Sequence, residues 1–112
     1  MNAGAVNTAR IRELNDMFRT SFIGGRVLIT QGIRALGQPF ESGCVEAVQR
    51  FRDFTGDNDP HGEHDFGAVS IDGKRVFWKI DYYDRDCHYG SENPADPTET
   101  TRVLTIMLAS EY

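Results

Sequence analysis

The stretch from Phe66 to Tyr83 constrains the fold of this chain more than any other. Phe66 to Ile71 and Arg75 to Tyr83 are rich in β-branched and aromatic residues, and the Asp72-Gly73 pair between them is a strong two-residue hairpin signal. Residues of the second strand alternate in character, which predicts one face turned to a core and one turned away. The first face holds Val76, Trp78, Ile80 and Tyr82, and the second holds Phe77, Lys79, Asp81 and Tyr83.

Helical spacing of apolar residues predicts two helices before this hairpin. The first follows Thr8 as N-cap and covers Ala9 to Arg19, and the second covers about Glu41 to Phe54. Arg26 to Thr30 predicts a short buried strand. The run from Arg102 to Ala109 is apolar on both sides and favours another strand, with a C-terminal helix as the alternative.

These elements predict one α+β domain. Residues 1–7 are expected to form a disordered tail, and residues 8–112 a single domain whose two N-terminal helices pack on a mainly antiparallel sheet of three to four strands. A chain of 112 residues is long enough to bury one core without disulfides or a structural metal. Cys44 and Cys87 have no close spacing and are expected to be reduced thiols.

The charge of the chain is divided unevenly. The net charge is −5, with +2 in residues 1–54 and −7 in residues 55–112. An acidic half argues against direct nucleic-acid binding, because phosphate recognition needs a basic footprint. It favours a cation, a basic protein surface or simple solvation of the charges. No apolar run approaches the length of a membrane span, and the N-terminus lacks the pattern of a signal peptide. We therefore expect a cytoplasmic protein without membrane contact.

The loop before the hairpin concentrates residues that bind metals: Asp57, Asp59, His61, Glu63, His64 and Asp65. Two histidines with a carboxylate suit Zn²⁺, Mn²⁺ or Fe²⁺. A metal site would use His61, His64 and Asp65 as ligands and Glu63 as general base, with Lys79 and Asp81 as further catalytic candidates. The spacing matches no complete ligand motif, and Asp, Asn and Pro are also common turn residues. We therefore expect no cofactor, with a divalent metal as the alternative.

A long second loop, residues 84–100, adds further acidic residues and tyrosines, and long loops in compact domains are often functional. Tyrosines suit protein interfaces, and a strip of carboxylates suits a basic partner. The predicted partner-binding residues are Asp57, Asp59, Glu63, Asp81, Tyr83, Asp84, Asp86 and Tyr89. This pattern favours a binding protein over an enzyme, and a homodimer is a further alternative.

Four motifs support a resemblance to a known family: the Asp57–Gly67 loop, the Phe77–Asp84 strand, the Gly90–Pro97 loop and the ending Arg102–Tyr112. The chain resembles a family of small bacterial proteins, mostly from alphaproteobacteria and associated with plasmids and mobile elements, that has no assigned activity. The association with mobile DNA implies an anti-defence or plasmid-maintenance role.

The residues and the resemblance together lead to one functional hypothesis and one alternative. The hypothesis is an inhibitor of a nucleic-acid-handling defence system, of the anti-CRISPR or anti-restriction type, that binds a basic partner through an acidic surface. The alternative is a metal-dependent hydrolase or nuclease that uses the loop with His61, His64 and Asp65.

Overall fold

A computed structural model describes the backbone of residues 3–112 and the side chains of residues 7–112. The elements are α1 (Ala3–Ser21), β1 (Gly25–Ile29), α2 (Gln31–Arg34), α3 (Gln38–Gln49), β2 (Phe66–Ile71), β3 (Lys74–Tyr83), β4 (Thr101–Leu108) and a C-terminal 3₁₀ helix (Ala109–Glu111). Helices α1 and α2 therefore flank the first strand in sequence, and helix α3 precedes the three remaining strands. The predicted α+β class is confirmed. Among the described helices, none has the length and apolar character needed to cross a bilayer.

The four strands form one mixed sheet in the order β1-β4-β3-β2. Strand β3 is antiparallel to both β2 and β4, whereas β1 runs parallel to β4. The predicted hairpin is confirmed, and its turn residues Asp72 and Gly73 have φ values of 50° and 76°, as a type I′ turn requires. The last apolar run is a strand, so the alternative of a C-terminal helix for that run is wrong.

The core lies between one face of the sheet and the helices. Strand β3 contributes Val76, Trp78 and Ile80, which are the residues that the alternation predicted. The helices and strand β4 complete the core with Phe18, Ile33, Phe40, Cys44, Val48, Phe51, Leu104 and Ile106. Trp78 is fully buried, and its ring meets Phe51 and Phe54 edge to face. Removal of this apolar surface from water is the main force that holds the helices on the sheet.

The opposite face of the sheet carries the other set of alternating β3 side chains, Phe77, Lys79, Asp81 and Tyr83. Phe77 of β3 lies beside Phe66 of β2 and Tyr112, with ring centroids 5.3 and 5.7 Å away. Lys79 and Asp81 form an ion pair of 2.9 Å on this face. We call it the open face.

The bounds of both predicted helices differ from those in the structure. Helix α1 begins at Ala3 rather than after Thr8, because Ala3 and Ala5 favour helix and no proline interrupts the first residues. Met1 and Asn2 of the predicted tail lie outside the described residues.

Helix α3 begins at Gln38 and ends at Gln49, earlier than the predicted Phe54. Arg19 contributes to the early end, because its guanidinium donates hydrogen bonds to the carbonyls of Val48 and Phe51 at 3.2 and 3.0 Å. These bonds satisfy carbonyls at the end of the helix that further helical turns would otherwise satisfy.

Candidate functional site

Two acidic loops lie at the same end of the sheet, because β2 begins where antiparallel β3 ends and β4 begins. The loop of residues 53–65 leads into β2 and contains five acidic residues and no Lys or Arg. The loop of residues 84–100 joins β3 to β4 and contains five acidic residues and one Arg. We call these two loops together the acidic end. The type I′ turn of the hairpin lies at the other end.

Backbone hydrogen bonds fold the first half of the 84–100 loop into a closed turn. The Asp84 amide donates to the Tyr89 carbonyl at 2.8 Å, and the carboxylate of Asp84 accepts the His88 amide at 3.0 Å. A bridge between Tyr83 and Gly90 continues the pairing. As a result the turn projects Tyr89, whose side chain is 77% exposed.

Side-chain hydrogen bonds fix the second half of the same loop. The hydroxyl of Thr100, a buried residue, donates to the Asn93 carbonyl at 2.8 Å and lies 2.7 Å from the Ser91 hydroxyl. The side-chain nitrogen Nδ2 of Asn93 donates to the Glu99 carboxylate at 3.3 Å. Hydrogen bonds from Thr98 hold the pKa of Asp96 below its usual value, so this carboxylate stays ionised. The loop is long, but its conformation is closely determined.

The two halves of the loop enclose a concave site of about 280 Å³. Its lining combines carboxylates, an exposed phenol ring and backbone, and contains no Lys or Arg. The lining residues are Asp84, Tyr89, Gly90, Glu92 and Glu99. We call this site the acidic cavity. Carboxylates beside an aromatic ring are suited to an ammonium or guanidinium group, which gains charge-assisted hydrogen bonds and a cation–π contact.

A buried hydrogen-bond network lies behind both loops, and Asn15 of α1 is at its centre. Asn15 is fully buried, and its amide nitrogen donates to the Glu63 carbonyl at 2.9 Å and to the Tyr82 hydroxyl at 2.8 Å. The Tyr82 hydroxyl donates in turn to the Glu63 carboxylate at 2.7 Å. Burial and this bond to Glu63 raise the pKa of Tyr82, so the phenol stays protonated.

Arg102 connects this network to the second loop. Its Nε donates to the Asn15 side-chain oxygen at 2.7 Å, and its terminal nitrogen donates to the Pro94 carbonyl. The guanidinium also lies over the Tyr82 ring, 5.2 Å from its centroid. Burial lowers the pKa of Arg102, although an arginine remains a cation near neutral pH. One buried network therefore tethers both acidic loops to α1 and to the sheet.

His64 joins the first loop to α1. Its Nδ1 lies 2.9 Å from the Asp16 carboxylate, its ring stacks on Phe54 at 3.7 Å, and its Nε2 lies 3.6 Å from Asp59. The Asp59 side chain is only 5% exposed and also accepts the His64 amide at 3.2 Å. His64 and Asp59 therefore have internal partners and hold the loop in place.

The eight predicted partner-binding residues lie in different parts of the structure. Asp84 and Tyr89 line the acidic cavity, and Asp57 and Asp86 are exposed in the two loops. The other four have different surroundings. Asp59 and Glu63 are engaged inside the first loop, and Asp81 and Tyr83 lie on the open face. Asp59 and Glu63 therefore have partners within the protein, and the assignment of the eight residues to partner binding stays a prediction.

The residues predicted for the metal and catalytic alternative are not brought together. His61 is exposed, and His64 faces Asp16 and Asp59. Glu63 bonds Tyr82 on the helix side of β3, whereas Lys79 and Asp81 pair on the open face. Within residues 7–112, no group of three or more His, Cys, Asp or Glu side chains is arranged to hold a metal ion. The metal hypothesis stays a prediction.

Asp65, the third predicted ligand, shows the effect of its surroundings on charge. Burial is the main cause that raises the pKa of Asp65 above its usual value, and the nearby carboxylate of Glu63 raises it further.

Lys79, a predicted catalytic candidate, lies on the open face, where its hydrogen bond to Asp81 raises its pKa. Lys79 is therefore a stable cation rather than a ready general base.

Sequence reasoning did not single out Glu92 and Glu99, which line the acidic cavity. The excess of acidic residues in the 84–100 loop was visible, but only the folded loop brings residues 84, 92 and 99 around one space. It also missed Asn15, a polar residue in the apolar stripe of α1 between Ile11 and Phe18, and this interruption was an available signal.

Comparisons with known proteins give a family and no activity. No curated protein matches the chain. No solved structure matches it. A family model described as a protein of unknown function (DUF3768) matches residues 29–111. Because this match covers well over half of the chain, the protein belongs to the DUF3768 family.

Proposed function

We propose that this protein is a small binding module whose acidic end recognises a basic group on a protein partner. The observation that carries the proposal is the acidic cavity, where Asp84, Glu92 and Glu99 surround a space next to exposed Tyr89. Its volume of about 280 Å³ suits one Arg or Lys side chain rather than a large substrate.

The chemistry of the lining favours Arg over Lys. A guanidinium is planar and donates hydrogen bonds in several directions, so it can pair with more than one carboxylate and still stack on the Tyr89 ring. The nearest cation in sequence, Arg85, donates only a long bond of 3.5 Å to the Pro97 carbonyl and is absent from the cavity lining. An incoming cation therefore meets carboxylates that no Lys or Arg of the lining neutralises.

The tethered loops support binding in a second way. A loop that is ordered before binding loses less conformational entropy when the partner arrives. The bonds from Arg102 to Asn15 and Pro94, and the bond from Asn15 to Glu63, hold the acidic end in one arrangement in the free protein.

The specific form that we propose is an inhibitor of a nucleic-acid-handling defence complex. Such complexes bind phosphates through basic grooves, and an acidic module can occupy a groove of that kind by charge complementarity. Support comes from the net charge of −7 in residues 55–112 and from the mobile-element association of the family that the motifs resemble.

Recovery of the partner from bacterial cells tests the proposal. Tagged wild-type protein is compared with the double variant Glu92→Gln, Glu99→Gln, and bound proteins are identified by mass spectrometry at increasing salt. We expect a partner whose affinity falls about tenfold in the double variant, since each exposed charge pair contributes up to about 1 kcal/mol. Added salt should weaken the complex in the same way.

The matched control removes the same charge elsewhere. Glu13 and Glu46 lie on α1 and α3, and their side chains are 61% and 63% exposed. The control Glu13→Gln, Glu46→Gln should leave recovery unchanged. If the two double variants lose the partner equally, net charge rather than the acidic cavity is responsible, and the proposal is wrong.

The inhibitor form has its own test. Cells with an active restriction or CRISPR system receive a targeted plasmid, with and without expression of the protein. We expect expression to raise transformation efficiency and the Glu92→Gln, Glu99→Gln variant to lose that effect. If expression of the protein does not change transformation efficiency in cells with a restriction system or in cells with a CRISPR system, the inhibitor form is rejected. The binding proposal is tested separately, by partner recovery.

A further inference from the structure

We propose a second binding site, at the opposite end of the sheet, for an anionic amphiphile: an apolar chain that carries a carboxylate. The site is a concave space of about 520 Å³ lined by Leu36, Lys74, Arg75, Leu108, Ala109 and Ser110. This volume lies within the usual range for small-molecule sites. Strand β3 separates it from the acidic cavity by about 30 Å, the length of ten extended residues.

The space exists because β3 is longer than β4 at this end. The last pair between the two strands is Val76 with Leu108, after which β4 turns into the 3₁₀ helix Ala109–Glu111. Lys74 and Arg75 continue β3 beyond that pair and have no partner on β4. The 3₁₀ helix, the end of β3 and Leu36 after α2 therefore enclose a gap.

The lining combines three apolar residues, Leu36, Leu108 and Ala109, with two cationic residues, Lys74 and Arg75. Leu36 is 41% exposed although it is a large apolar residue, and Leu108 and Ala109 extend the apolar surface. Within residues 7–112, neither Lys74 nor Arg75 forms an ion pair, and Asp72 in the adjacent turn does not pair with Lys74. An apolar chain with an anionic head complements both parts of this lining.

The wall formed by the 3₁₀ helix is fixed before any ligand binds. The Glu111 carboxylate accepts hydrogen bonds from the Thr30 hydroxyl at 2.7 Å, the Leu108 amide at 2.8 Å and the Gly32 amide at 3.1 Å. A Cβ atom at Gly32 would lie 2.5 Å from the Glu111 carboxyl carbon, so any side chain at residue 32 would displace this carboxylate. Glu111 is not among the lining residues, and within residues 7–112 it forms no ion pair with Lys74 or Arg75.

Decanoate and decanol distinguish the anionic head from the apolar chain. Both are titrated below the micellar concentration into the full-length ¹⁵N-labelled protein, and amide chemical shifts are followed. We expect decanoate to cause saturable shifts at Leu36, Lys74 and residues 108–110, and to bind at least fivefold more tightly than decanol. The variant Lys74→Gln, Arg75→Gln should lose most of this preference, and Leu36→Asp should weaken both ligands.

Arg50→Gln is the control. Arg50 is an exposed cation that is not part of the lining, and its Nη1 lies 3.3 Å from the Glu46 carboxylate. This variant should bind decanoate as the wild type does. Absence of saturable shifts, shifts centred outside the six lining residues, or equal affinity for decanoate and decanol would each overturn the proposal. These results are independent of the acidic cavity, since its residues are unchanged in every variant.

Discussion

At the scale of single residues, Asn15 shows how the acidic end is held. Both its amide nitrogen and its side-chain oxygen are engaged, with Glu63, Tyr82 and Arg102 as partners. Buried polar groups of this kind contribute modestly when paired but are costly when a partner is removed, because the remaining groups cannot bond water. Arg102 is the most sensitive partner, since it is a buried cation.

We predict that Asn15→Ala lowers the free energy of unfolding by about 3 kcal/mol, since it leaves Arg102 Nε and the Glu63 carbonyl without their bonds. Urea denaturation measures the loss. Glu13→Ala, at an exposed site of the same helix, should change stability by less than about 0.5 kcal/mol. A similar small change for Asn15→Ala would show that the network does not hold the loops.

Asp65 gives a prediction about pH. Burial raises its pKa, so ionisation disfavours the folded state; the penalty is present above the folded pKa and absent below the unfolded value near 3.8. Asp65→Asn should therefore stabilise the protein at pH 7, by less than about 1 kcal/mol because solvent screens a half-buried charge. The stabilisation by Asp65→Asn should vanish at about pH 3, where Asp65 of the wild type is protonated in both states. Thermal unfolding at both pH values measures it, and a Tm below that of wild type at pH 7 would contradict the expectation.

At the scale of elements, the hairpin depends on a close approach between β2 and β3. Gly67 pairs with Trp78, and a Cβ atom at residue 67 would lie 2.4 Å from the indole nitrogen. Within the described residues, this buried nitrogen has no hydrogen-bond partner. Glycine at residue 67 therefore sets how closely the indole ring packs on the neighbouring strand.

We predict that Gly67→Ala destabilises the fold by about 2 kcal/mol, because the fully buried Trp78 ring must move in a packed core. Gly43→Ala is the matched change. Residue 43 lies in helix α3, and its Cβ would lie at an ordinary contact distance of 3.6 Å from the Ile71 side chain. Because alanine favours helix more than glycine does, this change should stabilise the protein by about 0.5 kcal/mol. Chemical denaturation of both variants decides; equal effects of the two would contradict this packing account.

The hairpin could be predicted from sequence because its information is local. The Asp72-Gly73 turn and the alternation around Trp78 lie within a few residues of each other. The end of α3 could not be predicted, since Arg19, about thirty residues earlier, provides the hydrogen bonds at that end. The same limit applies to the parallel pairing of β1 with β4, which the sequence pattern does not encode.

At the scale of the whole molecule, charge and surface chemistry differ between the two ends of the sheet. One end holds the two acidic loops, and the other holds the apolar gap beside Lys74 and Arg75. The sequence predicted an acidic half but could not show which carboxylates are available. Folding engages Asp59 and Glu63 internally and gathers Asp84, Glu92 and Glu99 around one space.

Amide chemical-shift mapping with a blocked tetra-arginine peptide shows directly whether the acidic cavity binds a guanidinium group. We predict saturable shifts centred on residues 84–99, weakened by salt and reduced about tenfold in affinity by Glu92→Gln, Glu99→Gln. Shifts centred on the open face or on residues 53–65, or an affinity that the double variant does not change, would contradict the assignment of the acidic cavity as the recognition site.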